Sequence, residues 1–200
     1  MNLRGVLWFT LIGGALWAGW QRFEHRPVHP PDGAVAPDDP LQTEAHDSAP
    51  LRHGRWLLTP RADYDITARI LSREDYRFDA LADLIPEDLA LGWGPMSDNR
   101  VLAHFDISQG VRFYTWRPHG ALPIPRESVI SHSANTHLIP ANDQVRSELT
   151  RLRVGEVVHL TGPLVDARRE DGGSIHTSLT RLDSGPGACE VLLVETVEVR

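Results

Sequence analysis

Residues 142–165 read NDQVRSELTRLRVGEVVHLTGPLV, and this stretch decides the fold class. Its first half is a helix pattern. Asn142 or Asp143 is a good cap, because a short side-chain oxygen accepts from the free N–H groups of a first turn. Val145, Leu149 and Leu152 recur at three- and four-residue spacing, which puts them on one face. Gly155 supplies the stop. Asp143 near the start and Arg151 and Arg153 near the end have the signs that the helix dipole favours. The second half, EVVHLTGPLV over 156–165, alternates apolar and polar residues and is rich in β-branched side chains, which predicts a strand.

Working outward, CEVLLVETVEV over 189–199 is a near-continuous apolar run and predicts a central strand. Gly172-Gly173 is a turn, and SIHTSLTRL over 174–182 predicts a strand after it. YDITARILS over 64–72 and VRFYTW over 111–116 predict two more. Residues 79–84 and 86–91 suggest short helical turns, the second opened by Pro86 at a favoured first position. Residues 128–138 read as extended in part. Three strands, a helix and two strands is the order of a small Greek-key barrel of the oligonucleotide/oligosaccharide-binding (OB) type. A generic curved antiparallel sheet with one packed helix would give the same text. The expectation is therefore an α+β domain, mostly antiparallel β, with a small Greek-key (OB-like) barrel and one packed helix as its finer form.

Composition narrows the function classes. The chain has 200 residues, 41% of them hydrophobic and 24% charged, with 6 Trp, so it can build a core. Its net charge of −7 opposes phosphate-backbone binding, and no nucleic-acid partner is expected. All 20 basic residues are arginine, which excludes Schiff-base and P-loop lysine chemistry. One cysteine, Cys189, excludes an internal disulfide and a cysteine-based zinc site, and no metal or cofactor is expected.

The amino terminus predicts a membrane segment. After a flank at 1–4, GVLWFTLIGGALWAGW over 5–20 runs 16 residues without a charge. That is about 24 Å of helix, which snorkelling by Arg4 and Arg22 can extend. Trp17 and Trp20 suit a membrane interface. A cleaved signal peptide is the competing reading, but Leu16 spoils a cut after Ala18, and a cut after Ala15 leaves a very short apolar run. The expectation is an uncleaved single-pass transmembrane anchor over 5–21 in the inner membrane, with the following domain in the periplasm. Residues 22–53 hold Pro27, Pro30, Pro31, Pro37, Pro40 and Pro50 among acids, and predict an extended Pro-rich linker. Residues 54–200 are the expected globular, β-rich domain.

Three segments break the strand pattern with glycine, proline and small polar residues, and they are expected to meet in space. LGWGPMSD over 91–98 holds Trp93 as a packing plug or a stacking platform. SHSANTHLIPA over 131–141 carries His132, Asn135 and His137, either as loop-fixing hydrogen-bonders or as site residues. SLTRLDSGPGACE over 178–190 carries Arg181, Asp183 and Cys189. At the start of an apolar strand Cys189 reads as a half-buried structural thiol. The alternative makes it a nucleophile, with His132 or His137 as base and Asn135 as orienter.

The strings SREDYRFD, DLALGWGPMSD, HSANTHLIPA and SLTRLDSGPGACE together resemble a family of bacterial envelope proteins built from a short hydrophobic amino-terminal segment and one following domain. The resemblance covers about residues 55–197. It implies a membrane-anchored envelope protein and adds no catalytic residue. The function expected is a non-catalytic, periplasm-facing binding or scaffold domain with an envelope protein as partner. The alternative is a hydrolase or metal-dependent enzyme using Cys189 or the His132/His137 cluster.

Overall fold

The structure is a computed structural model, and it describes residues 26–200 together with Trp8 and residues 12–14. The segment read as a transmembrane anchor therefore lies almost wholly outside the described residues. Among the described residues, no helix is long and apolar enough to cross a membrane.

The domain is α+β and mostly antiparallel. Its strands are β1 (Leu41–Glu44), β2 (Leu51–His53), β3 (Trp56–Asp75), β4 (Glu87–Gly92), β5 (Phe105–Gly110), β6 (Phe113–Pro118), β7 (Ser133–Pro140), β8 (Val157–Arg169), β9 (Ser174–Ile175), β10 (Glu190–Val194) and β11 (Thr196–Val199). The helices are short: α1 (Asn99–Leu102), α2 (Arg126–Ser131) and α3 (Asp143–Leu149). β3 pairs antiparallel with β4, and β4 with β7. β7 pairs in parallel with β10, β10 pairs antiparallel with β8, and β8 returns to pair antiparallel with β3. The pairings of these five strands thus run in a circuit.

A break in β3 lets one strand serve two cores. Its register against β8 shifts between Pro60 and Ala62, as a bulge at Arg61 produces. Before it, Trp56 and Leu58 pack with Val165, Ala167, Val191 and Leu193 in a core outside the circuit. After it, Tyr64, Ile66 and Ile70 pack with Leu89, Leu138, Leu160 and Leu192 in the core inside it. A one-residue slip exchanges the faces of a strand, which is why the bulge can redirect every later side chain.

Helix α3 closes one side of the inner core. Asn142 Oδ1 accepts from Val145 N at 3.0 Å, the expected cap. Val145, Leu149 and Leu152 are buried in the inner core, each contributing roughly 1.5–3 kcal/mol.

Four expectations need correction. Where 86–91 suggested a helical turn, the chain forms strand β4 over Glu87–Gly92. Every residue of β4 is buried, and a strand covered on both faces loses the alternation that marks strands. Residues 189–199 form two strands, broken at Glu195, whose amide donates to Thr161 O at 2.9 Å. Beyond β9, residues 176–182 are irregular, because Ser178 and Thr180 bond within their own loop. The fourth correction is the largest: residues 28–53 are not a free stalk. Val28 N donates to Val154 O at 2.7 Å, Asn99 Nδ2 donates to Pro30 O at 2.6 Å, and Ala36 is fully buried in the inner core. β1 and β2 then both pair with β3. The segment has no core of its own, but it uses its backbone groups and a few small side chains to complete a core built by others.

Candidate functional site

The strongest chemical constellation lies on the outward face of β4 and β7. Leu89, Leu91 and Leu138 point into the inner core, so alternation sends Asp88, Asn135 and His137 outward. The register sets Asp88 directly opposite His137. On the far side of β7, the parallel register sets Val191 against His137 and Glu190 against Thr136. That pairing brings Cys189, one residue before β10, alongside Asn135.

Two loops and a hairpin close round this face. Cys189 ends the segment that follows β9, and the segment 76–86 between β3 and β4 brings Tyr76 and Asp79. The β5–β6 hairpin folds over the strands, with Gln109 Nε2 donating to Asn135 Oδ1 at 2.7 Å and Tyr114 Oη to Ser133 Oγ at 3.3 Å. Its turn residues, Val111 and Arg112, both take left-handed backbone, with φ of 53° and 67°. Two such residues in sequence suit a tight hairpin turn, but a β-branched valine is strained there.

Arg112 ties the parts together. Its guanidinium pairs with Asp88 Oδ1 at 3.1 Å and with Asp79 Oδ1 at 2.8 Å, and it stacks 3.8 Å from the Tyr76 ring centroid. Its amide donates to Tyr76 Oη at 3.0 Å. The Arg112 hydrogen bonds hold the Asp79 carboxyl below the usual carboxylate range.

His137 stands against a buried carboxylate. Its Nδ1 lies 2.8 Å from Asp88 Oδ1, and both side chains are nearly or wholly buried. Burial alone would lower the imidazole pKa, but contact with Asp88 and with Cys189 outweighs it and raises the value to about 9. Cys189 is half-buried. Asn135 Nδ2 lies 3.6 Å from its Sγ, and Arg112 O lies 4.0 Å away. Asn135 Nδ2 also donates to Arg112 O at 3.3 Å, so the amide, thiol and hairpin carbonyl share one spot.

The remaining candidates gather elsewhere. Trp93 is fully buried, its Nε1 donates to Asp39 Oδ1 at 3.0 Å, and its amide donates to His132 O at 3.0 Å. His132 is held locally, with Nδ1 2.8 Å from Ser128 O. Arg181 Nη2 donates to Pro40 O at 2.5 Å, and Asp183 accepts from Ser178 Oγ at 2.7 Å. Asp39, His132 and Arg181 line a cleft of about 470 Å³. The three loops therefore do approach one another, but as two groups. Trp93, His132 and Arg181 surround Asp39 and Pro40, whereas Asn135, His137 and Cys189 surround the tip of the hairpin. Glu190 lies between the groups. Burial pushes its carboxyl up to about 8, against the pull of Arg181 and His137.

The sequence reading paired Cys189 with His132 or His137 and gave Asn135 the orienting role. The structure sets the Cys189 thiol against Asn135 and the Arg112 carbonyl, and the group facing the His137 imidazole is Asp88. Asp88 and Arg112 were missed. A charged residue inside the apolar run EDLALG is a legible signal, since a buried charge requires a partner. Arg112 gave none, because nothing in VRFYTW marks its first two residues as a turn. Among the described residues, no group of three or more His, Cys, Asp or Glu side chains is arranged to hold a metal ion. Comparison with protein-family models, with curated proteins and with solved structures returns no match, so the site rests on its own geometry.

Proposed function

We propose that the domain is a small OB-like Greek-key barrel serving as a protein-binding module of the cell envelope. In this reading residues 5–21 hold it at the inner membrane and the domain faces the periplasm. The strand circuit supports the barrel. In chain order its members pair first–second–third–fifth–fourth, with the third and fifth parallel and α3 between the third and fourth. Barrels of this class bind with the face of their second and third strands and with the flanking loops. Here those strands are β4 and β7, and the flanking loops are 76–86 and 176–189.

The observation that carries a protein partner is apolar exposure beside that face. Phe78 is 98% exposed and Val111 is 85% exposed. Both are brought near the face by Arg112, which bonds Asp79 and Tyr76. Exposed apolar side chains at a polar rim suit a protein interface. The net charge of −7 disfavours a nucleic acid in the same place.

A photo-crosslinking amino acid at Phe78, in the full-length chain in its native envelope, tests this. Discrete protein adducts are expected from position 78, and none from Val199, an exposed residue on β11. Equal adducts from both positions, or none from position 78, would overturn the reading.

A further inference from the structure

We propose that the cleft between segment 28–53, the end of α2 and the loop 176–189 binds a free apolar α-amino acid. Asp39, Gln42, Ser131, His132, Arg181 and Leu182 line it, and its volume of about 470 Å³ suits a small ligand. Bonds between its walls fix its shape. Arg181 Nη2 donates to Pro40 O at 2.5 Å, Gln42 Nε2 donates to Leu179 O at 3.2 Å, and Trp93 Nε1 donates to Asp39 Oδ1 at 3.0 Å. Trp93 is fully buried, so the Asp39 carboxylate is held on a rigid base.

Each wall offers one part of the recognition. His132 Nδ1 lies 2.8 Å from Ser128 O, and a carbonyl oxygen can only accept, so Nδ1 carries the ring proton. Nε2 of the neutral ring therefore presents a lone pair, and it lies 3.9 Å from Asp39 Oδ1. Two acceptors at this spacing are too far apart to bond each other, but one ammonium about 2.9 Å from each can donate to both. The Arg181 guanidinium is tethered one residue from Asp39, through Pro40 O. That bond takes one donor and goes to a carbonyl rather than a carboxylate, and the buried Nε has no hydrogen-bond partner. A guanidinium with donors to spare suits a carboxylate. Leu179 and Leu182, 43% and 78% exposed, supply an apolar wall. Acceptors for an ammonium, donors for a carboxylate and an apolar wall in one small cleft match the three groups of an apolar α-amino acid.

Neither Phe78 nor Val111 lines this cleft, so the inference goes beyond the protein-binding reading and fails separately from it. Isothermal titration of the full-length chain in detergent with L-leucine is expected to show saturable binding. N-acetyl-L-leucine, which lacks the ammonium, and isopentylamine, which lacks the carboxylate, should each bind about 10-fold more weakly or worse, as loss of a hydrogen bond to a charged group produces. Asp39→Asn and Arg181→Gln should each weaken L-leucine by a similar factor. If Arg181→Gln fails to fold, Asp39→Asn gives the reading, since it keeps an oxygen to accept from Trp93. Three results would overturn the proposal: no binding of L-leucine, L-valine or L-phenylalanine, N-acetyl-L-leucine binding as tightly as L-leucine, or undiminished L-leucine binding in folded Asp39→Asn.

Discussion

At the residue scale, Val111 is where the fold gives up stability. Its left-handed backbone closes the hairpin over Asn135 and Cys189, yet valine is a poor residue for that conformation. Asparagine tolerates it, and the side chain is 85% exposed, so nothing packs against it. Val111→Asn is expected to stabilise the domain by about 1 kcal/mol, or roughly 2–4 °C in Tm for a chain of this size. Thermal unfolding by circular dichroism checks this, and a lower Tm would mean that the valine side chain has a packing role. Such a turn is hard to read in VRFYTW, because hairpins of this kind are announced by Asn-Gly or Asp-Gly. Cys189, His137 and Asn135 were legible as residue types with the right chemistry. Their partner Asp88 was not, because the helical reading of 86–91 hid the strand that sets it opposite His137.

At the scale of elements, helix α3 and strand β8 were the most legible part. The pattern of Val145, Leu149 and Leu152 is dictated by one buried face, and the structure uses that face as expected. The arm over residues 28–53 was not legible, because its binding is almost entirely backbone and small side chains. Gly155 shows how close that contact is. Its φ is +91°, and a Cβ there would meet Val28 O at 1.8 Å. Only glycine lets the arm lie against the turn after α3. Gly155→Ala is therefore expected to release the arm at Val28 and to destabilise the domain by at least 1 kcal/mol, through both the clash and the left-handed backbone. Amide hydrogen exchange reads it directly, as loss of protection at Val28 and at neighbouring amides. Unchanged protection at Val28 would show that the arm does not depend on this contact.

At the scale of the whole molecule, His137, Glu87 and Glu190 all push stability the same way with pH, and the half-buried His53, whose pKa is lowered by burial, opposes them only near its ordinary value. His137 rises from an ordinary 6.5 to about 9, so the folded state holds its proton more tightly than the unfolded chain does. Its contribution is complete below about pH 6.5 and is lost as pH rises through about 9. Glu87 and Glu190, raised from 4.5 to about 8 chiefly by burial, act in the same sense. Folding favours their neutral forms, and that advantage fades between about pH 4.5 and 8. Tm should therefore fall steadily from about pH 5.5 to pH 9, and Glu190→Gln should flatten the slope. A Tm that rises over that range would contradict the assignment.

The account turns on one arrangement, in which the pairing of β4 with β7 sets the His137 imidazole against the buried Asp88 carboxylate. Titration of the His137 ring nitrogens by heteronuclear NMR, in the full-length protein and in Asp88→Asn, tests it most directly. The midpoint is expected at about 9 in the wild type. In Asp88→Asn it should fall, because the carboxylate that opposes burial is gone. A wild-type midpoint at or below 6.5 that does not move on Asp88→Asn would contradict the account.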